Sequence, residues 1–306
     1  MKNLRKEKLI SLSKVESKIN KPFLGISLIL CAFLFFSFIA ASAKWLVIIG
    51  FPTIQLVFMR YLGHFIISFL IIILRNEKRN LYNNKDLKLI IFRAFLLFGS
   101  TAFAFSAFVY LPISLTATIE FTAPIIICFL SWPILGEKVG IWRSGAIILG
   151  FIGIIIIIKP YDESFHPAVF LSLSGAFCFA LYAILSRMLA GFVLVDVMQF
   201  YSGLIGSLIT LPFAIVFWEH PNTLFDWLIM LMMGICGWSG HQLFTKAHNF
   251  APANLLIPFG YSFILYNTIW SYFLSGYIPD YITILGGMVI ILSGLIIWFR
   301  ELKISK

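Results

Sequence analysis

Long apolar runs separated by short polar breaks dominate the chain. A helix needs roughly 20 apolar residues to cross a hydrocarbon core, and runs of about that length follow one another at roughly 22–43, 53–74, 90–110, 112–135, 141–159, 167–187, 195–217, 226–248, 252–275 and 281–299. The turns at Tyr110 to Pro112 and Gly276 to Asp280 are so short that the helices they join must run antiparallel. The pattern predicts an all-α integral membrane protein with ten transmembrane helices. Ten crossings take about 200 of the 306 residues, which leaves loops and tails but no soluble domain.

The second half of the pattern repeats the first. An offset of 140 residues lays Pro112 on Pro252, Ser131 on Ser271, Gly136 on Gly276 and Ile156-Ile157 on Ile296-Ile297 without a gap, within the same helix-turn-helix hydropathy profile. The expected organisation is a basic tail over 1–21, five-helix repeats over 22–160 and 161–300, and a short tail over 301–306. Five is odd, so the second repeat enters the membrane with the opposite orientation. Inverted repeats of this kind are a signature of alternating-access carriers.

Composition supports the membrane reading, with 60% hydrophobic and only 12% charged residues, against about a quarter charged in soluble domains. The formal charge of +10 would point to nucleic acid in a soluble protein. Here the basic residues collect in the first 21 positions and at helix ends, where they report topology and no nucleic-acid partner is expected. With the N-terminus in the cytoplasm, the 75–89 loop, Lys138, Arg143 and the C-terminus share its side. Asp162, Glu163, Glu219, Asp226 and Asp280 then fall opposite, so the positive-inside rule places both termini inside. The run from Phe23 to Ala43 is too long for a signal peptide and lacks a clear small-residue cleavage site, so it reads as a retained first helix. Cys31, Cys128, Cys178 and Cys236 sit inside apolar runs and read as packing residues, with neither a disulfide nor a metal site.

Phe58-Met59-Arg60-Tyr61 and the stretch from Leu111-Pro112 through Glu120, Pro124 and Gly136-Glu137 carry a resemblance, as do Gly145 to Gly153, Pro258-Phe259-Gly260-Tyr261 and Gly286 to Gly294. In order, spacing and doubled layout the chain resembles the EamA-like branch of the drug/metabolite transporter superfamily. The resemblance spans nearly the whole chain after the basic tail. It departs at Gly276-Tyr277, where the counterpart of Gly136-Glu137 lacks the acidic residue. The resemblance implies a central cavity lined mainly by the first four helices of each half, in a bacterial inner membrane protein, but it does not imply one substrate.

Ionisable residues inside spans cost about 2.5–3.5 kcal/mol each on insertion scales and so face an interior or an aqueous cavity. Arg60 and Glu120 both lie roughly 10–12 Å from the same side at 1.5 Å per residue. Either they form a structural ion pair, or Arg60 binds a solute carboxylate or phosphate while Glu120 takes a cationic group or a coupling proton. His64 lies one turn beyond Arg60 on the same face, as a proton shuttle, a hydrogen-bond donor or an interhelical packing residue. His241 and Gln242 are candidates to line the cavity, whereas Lys246 is close enough to the interface to snorkel. Trp238 and Tyr261 lie well inside spans and are candidates to stack on a planar or cationic solute. Pro124 and Pro258 interrupt spans, either to line a site or as packing kinks.

No HExxH, Cys/His cluster, GxSxG elbow or phosphate loop is present, so an enzyme is not expected, nor are a cofactor or a metal. No channel filter is evident either. The reading that remains is a secondary transporter of a small polar organic metabolite, such as an amino acid or nucleoside-like solute. Its partners would be the solute, the bilayer, and a coupling proton or counter-substrate; a homodimer is compatible with this reading. The alternatives are an importer of the S-adenosylmethionine type and a non-transporting membrane scaffold subunit.

Overall fold

The computed structural model describes residues 21–75, 86–135, 141–158, 165–189, 192–247, 250, 256, 259–260 and 262–304, and no strand occurs among them. Residues 1–20 of the basic tail, the 76–85 loop, Gly136-Glu137, Pro258 and Tyr261 lie outside the described residues. In chain order the helices are α1 (Pro22–Ile48), α2 (Thr53–Leu74), α3 (Leu87–Tyr110), α4 (Ile113–Glu120), α5 (Ala123–Leu135), α6 (Ile141–Ile158), α7 (Val169–Leu189), α8 (Val195–Val216), α9 (Leu224–Ala247), α10 (Ser262–Ser275) and α11 (Tyr281–Ile304).

Prolines set several starts. Pro22 opens α1, and Pro52 and Pro112 stand in extended backbone immediately before α2 and α4, positions where a missing N–H costs nothing. Inside the fourth span a proline has the opposite effect. Pro124 has no N–H to return to the Glu120 carbonyl, and the helix breaks at Phe121-Thr122 into α4 and α5. The last helix runs through the expected C-terminal tail as far as Ile304.

Five of the described helices are long and apolar enough to cross a membrane on length and composition alone: Phe23–Ile48, Thr53–Leu74, Leu87–Tyr110, Val169–Ser186 and Val195–Val216. Burial is distributed for a lipid surround. Phe170, Phe213, Ile215, Phe273 and Ile148 are exposed, while Gln55, His64, Arg93, Gln199 and Asn267 are fully buried. Polar side chains inside and apolar ones outside is the arrangement hydrocarbon imposes.

The helix contacts are symmetric under exchange of the halves. α2 packs on α8 and α6 on α11, each pair joining equivalent spans of the two repeats. The packing of α1 on α9 is mirrored by that of α7 on α3, and α2 on α9 by α8 on α3. The correspondence reaches single residues where α6 crosses α11. Ser293 Oγ donates to the Ala146 carbonyl at 2.6 Å, and a Cβ on Gly153 would stand 3.0 Å from the Gly286 carbonyl. The 140-residue offset carries 146 onto 286 and 153 onto 293, so these two contacts are one contact made twice. Small residues at this crossing let the backbones approach closely.

α2 and α8 run antiparallel and are tied at both ends. At one end, Gln55 Nε2 donates to the Glu219 carbonyl at 2.8 Å while Gln55 Oε1 accepts from the Glu219 N–H at 2.9 Å. At the other, Arg75 Nη1 meets Asp196 Oδ2 at 2.5 Å and Gln242 Nε2 donates to Asp196 Oδ1. In each case a polar residue in the first turn of one helix holds the chain just past the end of the other.

Candidate functional site

Between the ties, the interface of the two halves holds a continuous polar network. Arg60, 5% exposed on α2, donates from Nη1 to Thr101 Oγ1 of α3 at 2.5 Å and from Nη2 to His241 Nε2 of α9 at 3.1 Å. Thr101 and His241 are themselves positions related by the 140-residue offset, so Arg60 bridges equivalent sites of the two halves. Arginine only donates, which obliges His241 Nε2 to accept. The ring proton then sits on Nδ1 and is donated to Tyr182 Oη of α7 at 3.1 Å.

Tyr182 Oη also accepts from Arg93 Nη2 at 2.8 Å, and the Arg93 guanidinium lies 4.4 Å from the Tyr182 ring centroid. Arg93 is fully buried on α3 and is held further by Ser186 Oγ at 2.7 Å, Ser202 Oγ at 3.1 Å and the Met198 carbonyl at 3.4 Å. Two guanidiniums are thus linked through one histidine and one tyrosine. Among the described residues neither has a carboxylate within ion-pair distance; Arg75 with Asp196 is the one such pair there.

His64 adds a branch one turn along α2. Its Nε2 lies 3.1 Å from Gln199 Oε1 of α8, and its ring stands 6.0 Å from that of His241. Among the described residues, buried atoms without a hydrogen-bond partner include Arg60 Nε, His64 Nδ1, Gln199 Nε2 and Trp238 Nε1, and Gln242 Oε1 at the end tie. Each orphan of this kind costs about 1–3 kcal/mol when left dry. Other such atoms lie on Thr122, Ser172, Ser262 and Asn267, but those of Arg60, His64 and Gln199 belong to side chains of the network itself.

The residues singled out from the sequence therefore divide. Arg60, His64 and His241 come together, and Trp238 stands one turn before His241 with its indole N–H unpaired. Gln242 is buried but turns toward Asp196 in the end tie. Glu120 does not pair with Arg60: it closes α4 beside the helix break, and among the described residues it has no ion pair. Of the two readings left open for these residues, the structural ion pair is not formed, because Arg60 is turned toward α3 and α9. Lys246 is exposed, as snorkelling requires. Tyr261 lies outside the described residues. Cys31, Cys178 and Cys236 are free thiols.

Arg93, Thr101, Tyr182 and Gln199 were not identified from the sequence. Arg93 carried a usable signal, an ionisable residue inside an apolar run. Hydroxyls and amides are too common in spans to stand out.

The tie formed by Asp196 gives a direct test of how the site is closed. In a background with the four native cysteines replaced, Ser68→Cys on the buried face of α2 reports access. Adding Asp196→Asn is expected to raise its maleimide labelling rate roughly threefold to tenfold, since a partly exposed ion pair contributes about 1 kcal/mol. An unchanged rate would show that the tie does not hold that end shut.

The profile of the EamA-like transporter family matches the chain over residues 23–159 and again over 166–299. The chain is 26% identical over 209 residues to the S-adenosylmethionine uptake transporter of Rickettsia prowazekii (strain Madrid E), covering 68% of this chain and 70% of that one. It is 30% identical over 172 residues to the riboflavin transporter of Vibrio cholerae serotype O1, covering 56% and 58%. A solved crystal structure with 16% sequence identity shares the fold, with a TM-score of 0.64 over 92% of this chain and 99% of the other.

Proposed function

The chain belongs to the EamA-like transporter family, and on that premise we propose that it is a secondary carrier of a small polar organic metabolite, working by alternating access in the bacterial inner membrane with both termini in the cytoplasm. Membrane transport rather than catalysis is thus its activity. The observation that carries the finer reading is the network of Arg60, His241, Tyr182 and Arg93, which is buried, lies between the two repeats and is surrounded by unpaired polar atoms. A scaffold has no use for orphaned donors at that place, whereas a carrier satisfies them each time it loads.

Movement follows from where the ties lie. The Gln55–Glu219 contact and the Arg75–Asp196–Gln242 contact close opposite ends of the same antiparallel pair, and the network sits between them. Releasing one tie while keeping the other exposes the network to one side of the membrane. The positive-inside bias of the loops supports a cytoplasmic position for the Arg75 end.

Purified protein in liposomes is expected to show saturable uptake of a labelled solute, accelerated by unlabelled solute inside if it exchanges, or by a pH gradient if it couples to protons. S-adenosylmethionine is the first solute to test, because several relatives are named for its uptake, followed by riboflavin and amino acids. Failure of every solute in such a panel, with protein that melts cooperatively, would favour the scaffold reading.

A further inference from the structure

The glycines of α9 differ in what requires them. A Cβ on Gly234 would lie 2.7 Å from Gly63 Cα, and one on Gly240 would lie 2.5 Å from the Phe36 ring, so close packing alone accounts for both. Gly237, between them on the same helix, is another matter. A Cβ there would meet Arg60 Cγ and Nε at 3.5 Å and Ile39 Cδ1 at 3.9 Å, all ordinary contacts. Packing does not demand the glycine, and alanine is the better helix former. The methyl-sized space it leaves lies against Arg60 Nε, the one atom of that guanidinium with no acceptor.

The unpaired groups nearby are mostly donors. Arg60 Nε, Gln199 Nε2 and Trp238 Nε1 each hold N–H groups without an acceptor. Tyr182 Oη already accepts from Arg93 and His241, which leaves its own hydrogen free. Among the described residues no carboxylate pairs with either arginine: Asp196 is engaged by Arg75 and Gln242, Asp226 by Thr223, and Glu120 has no ion pair. Excess donors, and two guanidiniums without a carboxylate partner among the described residues, call for a ligand rich in acceptors and negatively charged.

We propose that the space between Gly237 and Arg60 is an anion subsite: it admits one oxygen of a carboxylate or phosphate group of the transported solute, which accepts from Arg60 Nε while Arg60 and Arg93 together supply the compensating charge. The proposal rests on reading the central network as the solute site, and it narrows the solute to one that carries a carboxylate or phosphate group.

The test is a thermal melt of the full-length protein in detergent, titrated with sodium acetate or sodium phosphate against sodium chloride at equal ionic strength. One of the two anions is expected to raise the melting temperature of the wild type and of Gly145→Ala, a glycine with open space around it. Which anion acts tells carboxylate from phosphate. Gly237→Ala is expected to melt at or above the wild type without anion, and to need a roughly tenfold or higher anion concentration for the same shift, as expected for losing one charge-assisted hydrogen bond. If Gly237→Ala melts below the wild type, Arg60→Gln decides instead: loss of the shift supports the subsite and a retained shift overturns it. No shift in the wild type beyond that of chloride, or an unaltered response in Gly237→Ala, also overturns it. Uptake in liposomes without an anion response removes the subsite but leaves the carrier reading intact. An anion response in protein that moves no solute does the reverse.

Discussion

Replacing Arg60 by alanine is expected to lower the efficiency of solute uptake about 100-fold, because a charge-assisted hydrogen bond to a bound group contributes roughly 1.5–3 kcal/mol and each 1.4 kcal/mol is a factor of ten. Folded protein should survive the change. Removal of an uncompensated guanidinium from the membrane interior relieves a cost of about 2.5–3.5 kcal/mol on insertion scales, which offsets the hydrogen bonds lost at Thr101 and His241. Arg60→Lys separates a binding role from a merely electrostatic one. The planar fork of arginine reaches Thr101 and His241 together and keeps Nε for the ligand, whereas an ammonium offers one point of charge. Initial uptake rates across a solute titration, normalised to monodisperse protein, provide the measurement. Wild-type efficiency in Arg60→Lys would assign Arg60 a structural charge and no ligand.

The architecture was legible because hydrocarbon imposes so simple a rule. Segments that must satisfy their own backbone read as long apolar runs, and the duplicated layout appeared as an offset that the α6–α11 crossing then reproduced in three dimensions. The site was legible only in part. Arg60, His64 and His241 stood out as ionisable residues in apolar surroundings, and they do converge. Equal depth, however, says nothing about facing direction, and Glu120 shares Arg60's expected level without sharing its partner. Thr101 and Tyr182 became visible only in the fold, since their importance lies in what they touch across helices distant in sequence.

The second large effect concerns how the halves meet. A Cβ on Gly63 would lie 2.8 Å from Gly234 Cα, so α2 and α9 are in backbone contact there and no flexible side chain is available to yield. Gly63→Leu is expected to cost at least the upper end of the overpacking range, about 3 kcal/mol, and the folded yield should fall to a small fraction of the wild type. The same substitution at Gly145, which has nothing within 4 Å, should leave the yield unchanged. Size-exclusion profiles of fluorescently tagged protein extracted in mild detergent would decide it. A monodisperse Gly63→Leu peak at wild-type height would mean that the two helices do not touch as closely as described.

The linkage of the two arginines also bears on how the protein is made. Arg60 and Arg93 belong to the first repeat, yet His241, Tyr182, Ser186 and Ser202 all belong to the second. Arg60 and His241 are separated by 181 residues, which at ribosomal speed is roughly 10–40 s of synthesis. Arg60 waits that long for His241, while Arg93 is joined sooner, since Tyr182 lies 89 residues and Ser202 109 residues beyond it. The nascent first half is thus a half-finished object: Arg60 already has Thr101 within it, but the remaining hydrogen bonds of both guanidiniums wait for the second half.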